Sequence, residues 1–487
     1  MSPENVGDSI ATLWARGGNQ MAKESSKSHS KLAGHDIASS PKVQALIKEL
    51  VNEVASLEKG LAGIRDPQPE LAEQGKRACE EAGKYRGRPL MYPFMGTGAG
   101  NGPYVELEDG SVKLDLINGI GVNMFGHGHP RIRGAALRGA LSDVVMQGNL
   151  EPSTEYAALG KKMVELAAKK SRLKYCWLTT CGTMANENAL KIARQKKTPA
   201  RLMIGMENSF AGRSTMMAEL TDNPAYRQGL PVYNEVLRIP WYKAGDPKSI
   251  DAAVRKFKEH YTANEKNISC FVFEPMLGEG GYRSAPREYF LPMLDFCKEK
   301  GIPVWVDEIQ TFMRTGELFA YETLDIGQYV DICTVAKTLQ TGAVLYTEEY
   351  NPQPGLVAGT FSGGSAAMAA GLESLKIITE EGYLGDNGKI MKIHREFVAM
   401  LNKLNETTCK GLLQEAGGMG LMIAVTPLDG SKDAVTKLLY TLFKNGLVGF
   451  SCGRDPYRLR FLVPCITESK DIQLAGQIIE KSILEMT

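Results

Sequence analysis

The sequence predicts an α/β fold: a mostly parallel central sheet flanked by helices in a large domain, followed by a smaller α+β domain. Three observations carry that expectation. Between residues 155 and 340, short β-branched and apolar runs alternate with stretches of helical periodicity. Beyond about residue 376, helical stretches mix with short β-runs instead. The 487 residues also exceed what one unit of roughly 100–200 residues accounts for.

Taken in order, residues 1–38 are rich in Ser, Lys, Gly and Asn and read as a flexible arm. Residues 39–100 form an N-terminal segment whose helix starts at Ser40 and Pro41. Val43, Leu46, Ile47, Leu50, Val51, Val54 and Leu57 recur on one face of it, which predicts packing, and Gly60 can end it. The large domain is expected over 101–375. It opens with two strands, Tyr104–Glu108 and Val112–Leu116, around an Asp109-Gly110 turn. A glycine-dense loop over 118–130 follows and carries His127 and His129. Two histidines at i, i+2 with no further ligand nearby do not predict a metal site.

The strand candidates are Tyr175–Thr179, Leu202–Ile204, Cys270–Phe273, Pro303–Val306 and Ile332–Ala336. The clearest helix lies before the fourth of these: Ser284 and Pro286 start it, Phe290, Leu294 and Cys297 face inward, and Gly301 ends it. The small domain, 376–487, is expected to hold helices near 383–405 and 433–445 and β-runs at Gly420–Val425 and Leu459–Val463.

Composition removes several function classes. With 57 basic and 56 acidic residues, the net charge of +1 gives no global field for nucleic acid or anionic membrane. Nine cysteines without CxxC pairs suit reduced thiols, and the first thirty residues lack the apolar core of a signal peptide. No run approaches the ~18 apolar residues of a membrane span. A cytoplasmic protein is expected.

The chemistry centres on the stretch from Val304 to Lys337. Asp307 closes one expected strand and Lys337 follows another. In α/β sheets ligands bind outside the carboxyl ends of strands, so the two can converge. A lysine able to form a Schiff base and an acid able to pair with a pyridine nitrogen describe a pyridoxal phosphate (PLP) site. Either residue alone would pass for a surface lysine or a helix-capping aspartate. An anion cradle is available where the strand ending at Thr179 gives way to Thr180, Cys181, Gly182 and Thr183 and then to the helical run MANENALKIAR. Neither GxxxxGK[ST] nor GxGxxG is present, so nucleotide binding and nicotinamide-dependent chemistry are disfavoured.

Several co-ordered segments resemble the class III aminotransferases, PLP-dependent enzymes of fold type I that act on acetylornithine, ornithine, 4-aminobutyrate and lysine. LDLINGIGVNMFGHGHPRI, CGTMANENALKIAR, SFAGRS, FEPMLGEGG, VDEIQT, VAK and GTFSGG match the family's motifs in order. The resemblance implies that Lys337 holds the cofactor as an internal aldimine and then acts as general base. It implies that Asp307 keeps the pyridine nitrogen protonated, Gln310 contacts the phenolic oxygen, Gly182 and Thr183 bind the phosphate, and Phe210 stacks on the ring. Thr360 resembles the threonine that reaches a neighbouring subunit's phosphate, which implies a homodimer with shared sites; residues 39–100 are expected to pack on the small domain and the dimer interface. Arg213 would grip a substrate carboxylate. Glu279 and Arg460 resemble a glutamate–arginine gate, with Arg458 close enough to compete for that role.

The implied reaction is ping-pong transfer of a terminal amine to a 2-oxo acid, 2-oxoglutarate above all. An aminomutase or racemase on the same fold, and a noncatalytic binding protein, are the other readings. Ala211, Leu277 and Met184 depart from the usual His or Trp, Gln and Glu, and Thr-Leu-Gln-Thr follows Lys337 where glycines are common. These departures reshape the substrate pocket and remove no group that transamination needs.

Overall fold

Seven strands form the central sheet: β1 (Tyr175–Thr179), β2 (Leu202–Met206), β3 (Val236–Ile239), β4 (Ile268–Phe273), β5 (Val304–Asp307), β6 (Ile332–Val335) and β7 (Gly342–Tyr346). The protein is described from a computed structural model that covers residues 32–142 and 151–487. The strand order is β1-β7-β6-β5-β4-β2-β3. Neighbours are parallel except β7, which runs against both β6 and β1. The five strands read from the sequence are present to within two residues at either end. β3 and β7 are additions.

Both faces of this sheet are covered, which is why its strands are near-continuous apolar runs rather than alternating ones. Trp305 and Ile332 belong to one core, with Ala189, Ile192 and Ala193 of helix α1 (Gly182–Lys196). Val304, Val306 and Cys333 face the other core, with Phe290 and Leu294 of helix α2 (Arg287–Lys300). Gly301 ends α2 at φ 62°, a left-handed C-terminal turn that glycine adopts without penalty.

The chain forms two units, Met1–Lys48 and Glu49–Thr487. Most of the expected flexible arm, residues 1–31, lies outside the described residues; Ala33–Ser39 is helical. The helix expected after Ser40 runs from Pro41 to Glu58. In the single chain its apolar stripe is only partly covered. Val51 is buried, whereas Leu46, Leu50 and Leu57 are 55%, 51% and 76% exposed. Periodicity reports that a face is apolar and not what covers it.

Within the second unit, Tyr104–Leu107 and Val112–Asp115 pair around Gly110, at φ 74°, in a four-stranded sheet that Leu447–Val448 completes. A second four-stranded antiparallel sheet is made by Leu413–Met419, Met422–Pro427, Arg458–Leu462 and Phe450–Cys452. Helices Lys389–Glu406 and Lys432–Lys444 stand where the C-terminal patterning predicts them. Among the described residues no helix is long and apolar enough to cross a membrane.

Candidate active site

Three neighbouring parallel strands deliver the chemistry to one edge. Asp307 is the last residue of β5, Glu274 follows β4, and Lys337 follows β6 by two residues. Lys337 has φ 51° and Gln340 φ 64°, so the turn over 337–340 holds two non-glycine residues in the left-handed region. Such strain persists only where the surroundings over-determine the backbone. Here Thr338 Oγ1 donates to Phe312 O (3.3 Å) and Gln340 Nε2 to Val122 O (3.1 Å).

Asp307 is buried, and both its oxygens accept hydrogen bonds: Oδ1 from Ile309 N (3.0 Å) and Oδ2 from Asn186 Nδ2 (2.7 Å). Burial pushes its carboxyl up to about 6, against those two donors and nearby Lys337. Glu274 is pushed up to about 8, by burial first and Asp307 second, while accepting from Phe210 N and Gly278 N, each at 2.9 Å. Glu274 thereby ties the Phe210 loop to the loop that carries Glu279. Burial also brings the Lys337 amine down to about 8, with the Arg314 guanidinium as the next cause.

The anion cradle is built at the start of α1. Cys181, the N-cap, makes no side-chain capping bond, so the first N–H groups of the helix are left for a ligand. Gly212, at φ 134°, lets the neighbouring chain approach. A Cβ there would stand 2.5 Å from Thr183 Oγ1.

A cavity of about 340 Å³ brings together Gly182, Thr183, Phe210, Asp307, Gln310 and Lys337, with Glu279 on the same wall. Gln310 Oε1 is buried there without a hydrogen-bond partner. Arg460 is fully buried with Nη1 2.7 Å from Glu279 Oε1, yet Nε, Nη1 and Nη2 have no aligned hydrogen-bond partner. Burial opposes its charge most, and Glu279, Tyr282 and Cys452 together outweigh it, holding it above the usual arginine range. Arg458 is instead tied to backbone carbonyls, by Nη1 to Gly281 O (2.7 Å) and by Nη2 to Ala424 O (3.2 Å) and Glu415 O.

Arg213, Thr360 and both candidates for the gate arginine, Arg458 and Arg460, do not line this cavity; Arg460 meets its wall through Glu279. Arg213 is exposed, its guanidinium 3.6 Å from the Tyr226 ring centre and 5.8 Å from that of Phe210. Thr360 lies exposed between β7 and the helix Ser365–Glu380. Sequence reading passed over Asn186 and Glu274. Both sit inside quoted motifs, but a polar residue within a helix or at a strand end shows no partner until the fold supplies it.

The class III aminotransferase family model matches residues 91–483. The chain belongs to the class III aminotransferases. An acetylornithine aminotransferase of Methanocaldococcus jannaschii is 32% identical over 80% of this chain and 93% of that protein. A probable 4-aminobutyrate aminotransferase of Bacillus subtilis is 30% identical over 77% and 89%. Among solved structures, a lysine aminotransferase from M. tuberculosis in the internal aldimine form superposes with a TM-score of 0.72 at 22% identity, covering 80% of this chain and 94% of that one. An ornithine aminotransferase from Toxoplasma gondii superposes at 0.72 and 23%, covering 89% and 98%. The aminotransferase therefore has fold type I and depends on PLP. Its residues fit that cofactor: a buried acid that makes no ion pair among the described residues, an amide oxygen without a donor and an uncapped helix N-terminus surround one lysine.

The buried acids predict a pH signature for the cofactor-free aminotransferase. Asp307, Glu308 and Glu274 rise from 3.8, 4.5 and 4.5 to about 6, 7 and 8, all by burial first. A carboxyl raised in the folded state stabilises fully below its unfolded value, and that stabilisation is lost as pH climbs through the folded value. The melting temperature should therefore fall by a few degrees between about pH 4 and pH 8. Lys337 acts in a separate window, between about 8 and 10.5. Calorimetry of cofactor-free protein checks this, and a flat or rising Tm across the acid window would contradict it.

Proposed function

We propose that this aminotransferase moves the terminal amine of an ω-amino acid to a 2-oxo acid, 2-oxoglutarate above all, by a ping-pong mechanism. The observation that carries this reading is the Glu279–Arg460 pair: a buried guanidinium with one carboxylate beside it and N–H groups not aligned to any acceptor. With Glu279 in place, the wall is neutral and accepts the uncharged approach of an ω-amine. With Glu279 turned aside, Arg460 offers a planar fork to the α-carboxylate of a 2-oxo acid or of glutamate. Arg458, occupied by backbone carbonyls, is the structural member of the two.

PLP, when bound, supplies an electron-withdrawing ring that accepts the electron pair left when a substrate C–H proton departs. Lys337 would hold the cofactor covalently and, as general base, would move the substrate proton. Asp307 keeps the ring nitrogen's proton in place, and Asn186 aims its carboxylate. Gln310 meets the phenolic oxygen, Phe210 covers one ring face, and Gly182 and Thr183 hold the phosphate. Thr360, exposed in the single chain, reaches the phosphate of a second copy, making the enzyme a homodimer with shared sites. Arg213, braced on Tyr226 and without a carboxylate partner among the described residues, receives the donor's own carboxylate. A cytoplasmic setting suits nine cysteines without CxxC pairs.

A panel of 4-aminobutyrate, N-acetylornithine, ornithine, lysine and putrescine, with 2-oxoglutarate as acceptor, tests the reading. Glutamate should form with one or more of them. Turnover of a donor without consumption of a 2-oxo acid would mark an aminomutase or racemase. Arg460→Gln should separate the half-reactions, raising KM for 2-oxoglutarate about 100-fold, the scale of a lost charge-assisted contact. The amine half-reaction should change by less than about threefold on the same reasoning. Equal losses in both, by stopped-flow, would remove Arg460 from the acceptor site.

A further inference from the structure

In the strand Arg458–Leu462, Arg460 is paired with Ala424 on one side and with Phe450 on the other. Directly opposed residues of antiparallel strands project from the same face of a sheet, so the register sets a small side chain and an aromatic ring beside Arg460. The centre of the Phe450 ring is 5.2 Å from the guanidinium carbon. A second ring arrives from a distant part of the chain, the centre of Tyr282 lying 5.5 Å from the same carbon. Tyr282 shares with Glu279 the loop between the paired strands Met276–Leu277 and Arg283–Ser284. Its backbone is left-handed, at φ 51°, which a bulky residue keeps only where the surroundings over-determine it. Arg458 supplies part of that constraint, since its Nη1 donates to Gly281 O (2.7 Å) and reaches Tyr282 O at 3.5 Å. Tyr282 is 1% exposed, and its hydroxyl has no hydrogen-bond partner among the described residues. The ring, and not the hydroxyl, accounts for its place.

We propose that Tyr282 and Phe450 are positioning residues that hold Arg460 ready for the acceptor's α-carboxylate when Glu279 turns aside. The proposal rests on the Glu279–Arg460 gate set out above. Such a gate meets a physical difficulty. Among the described residues Glu279 is the one carboxylate paired with Arg460. Its withdrawal leaves a full positive charge in a dry site, and an arginine so abandoned would follow its partner. Aromatic faces remove the difficulty, because their quadrupole attracts a cation while they carry no charge of their own. They stabilise Arg460 in either position of Glu279. They also offer the N–H groups no oxygen, so the whole fork stays available to an incoming carboxylate. Rings that merely filled space would support the sheet without bearing on carboxylate binding.

The test is the half-reaction of the full-length holoenzyme with L-glutamate, followed in stopped flow by the cofactor's absorbance. Phe450→Leu and Tyr282→Leu should each raise the half-saturating glutamate concentration about tenfold, the scale of a desolvated cation–π contact. The limiting rate should stay within about threefold of wild type, as expected when binding rather than chemistry is lost. Tyr282→Phe keeps the ring and should half-saturate within about twofold of wild type. Placed in Arg460→Gln, which already lacks the cation, Phe450→Leu should add nothing further, because both act through one guanidinium. Unchanged half-saturation in Phe450→Leu, or a tenfold effect repeated in full on the Arg460→Gln background, overturns the proposal. So does a Tyr282→Phe enzyme as impaired as Tyr282→Leu. Should Tyr282→Leu fail to fold, Phe450→Leu and its double variant still decide, since Phe450 is only partly buried. Failure of the gate has a different signature. An Arg460→Gln enzyme that half-saturates at the wild-type glutamate concentration refutes the Glu279–Arg460 reading, and the proposal with it.

Discussion

Lys337→Ala is expected to abolish the visible absorbance of the purified enzyme and to lower kcat by about 10⁴-fold, the upper range for loss of a positioned general base. No second lysine among the lining residues can substitute, because Lys337 is the one lysine on the cavity wall. The fold should survive, since the change removes a buried amine whose charged form burial disfavours. The variant should therefore melt at or slightly above the wild-type temperature when both are cofactor-free near pH 7. Retained turnover, or a yellow protein, would break the assignment at its centre.

Asp307→Asn is expected to be nearly as severe, with kcat down about 10³-fold on the scale of lost transition-state electrostatics. Two things should fail together. The charge proposed to keep the ring nitrogen protonated disappears, and the new amide offers one acceptor oxygen where Ile309 N and Asn186 Nδ2 need two. One of those donors is left unsatisfied or the side chain turns, so PLP affinity should fall as well. Asp307→Glu separates the effects by keeping the charge and misplacing it. Measured PLP dissociation constants and the pH dependence of kcat for the two variants check the argument. An Asp307→Asn enzyme with wild-type kcat would mean that the ring nitrogen has no need of this acid.

Much of this was legible in the sequence because the strands on either side of the site are buried on both faces and flanked by unambiguous helices. β5 and β6 read as apolar runs ending in a carboxylate and a lysine, and their adjacency is what the structure adds. β3 escaped notice because it is a four-residue edge strand with Arg238 in its middle. β7 escaped because it begins with glycine, straight after a turn that reads as irregular. Six of the residues named through the motif resemblance, Gly182, Thr183, Phe210, Asp307, Gln310 and Lys337, line one cavity. For Arg213 and Thr360 the resemblance named side chains that a single chain leaves at the surface. The partners of Asn186, Glu274 and Arg314 are distant in sequence, up to 193 positions for Arg314 and Gly121, and no local pattern announces such pairings.

The reversed direction of β7 has a consequence for how the enzyme measures its cofactor. Because the chain doubles back just after Lys337, Gly342 lands beside Thr179, and Thr341 Oγ1 donates to Thr179 O at 2.6 Å. Under the roles proposed above, the four residues 338–341 would separate the cofactor's covalent anchor from the cradle for its phosphate. A single residue added between Thr338 and Thr341 would shift that spacing by about 3.3 Å. It would also turn every β7 side chain to the opposite layer, so the core fixes the length of this segment.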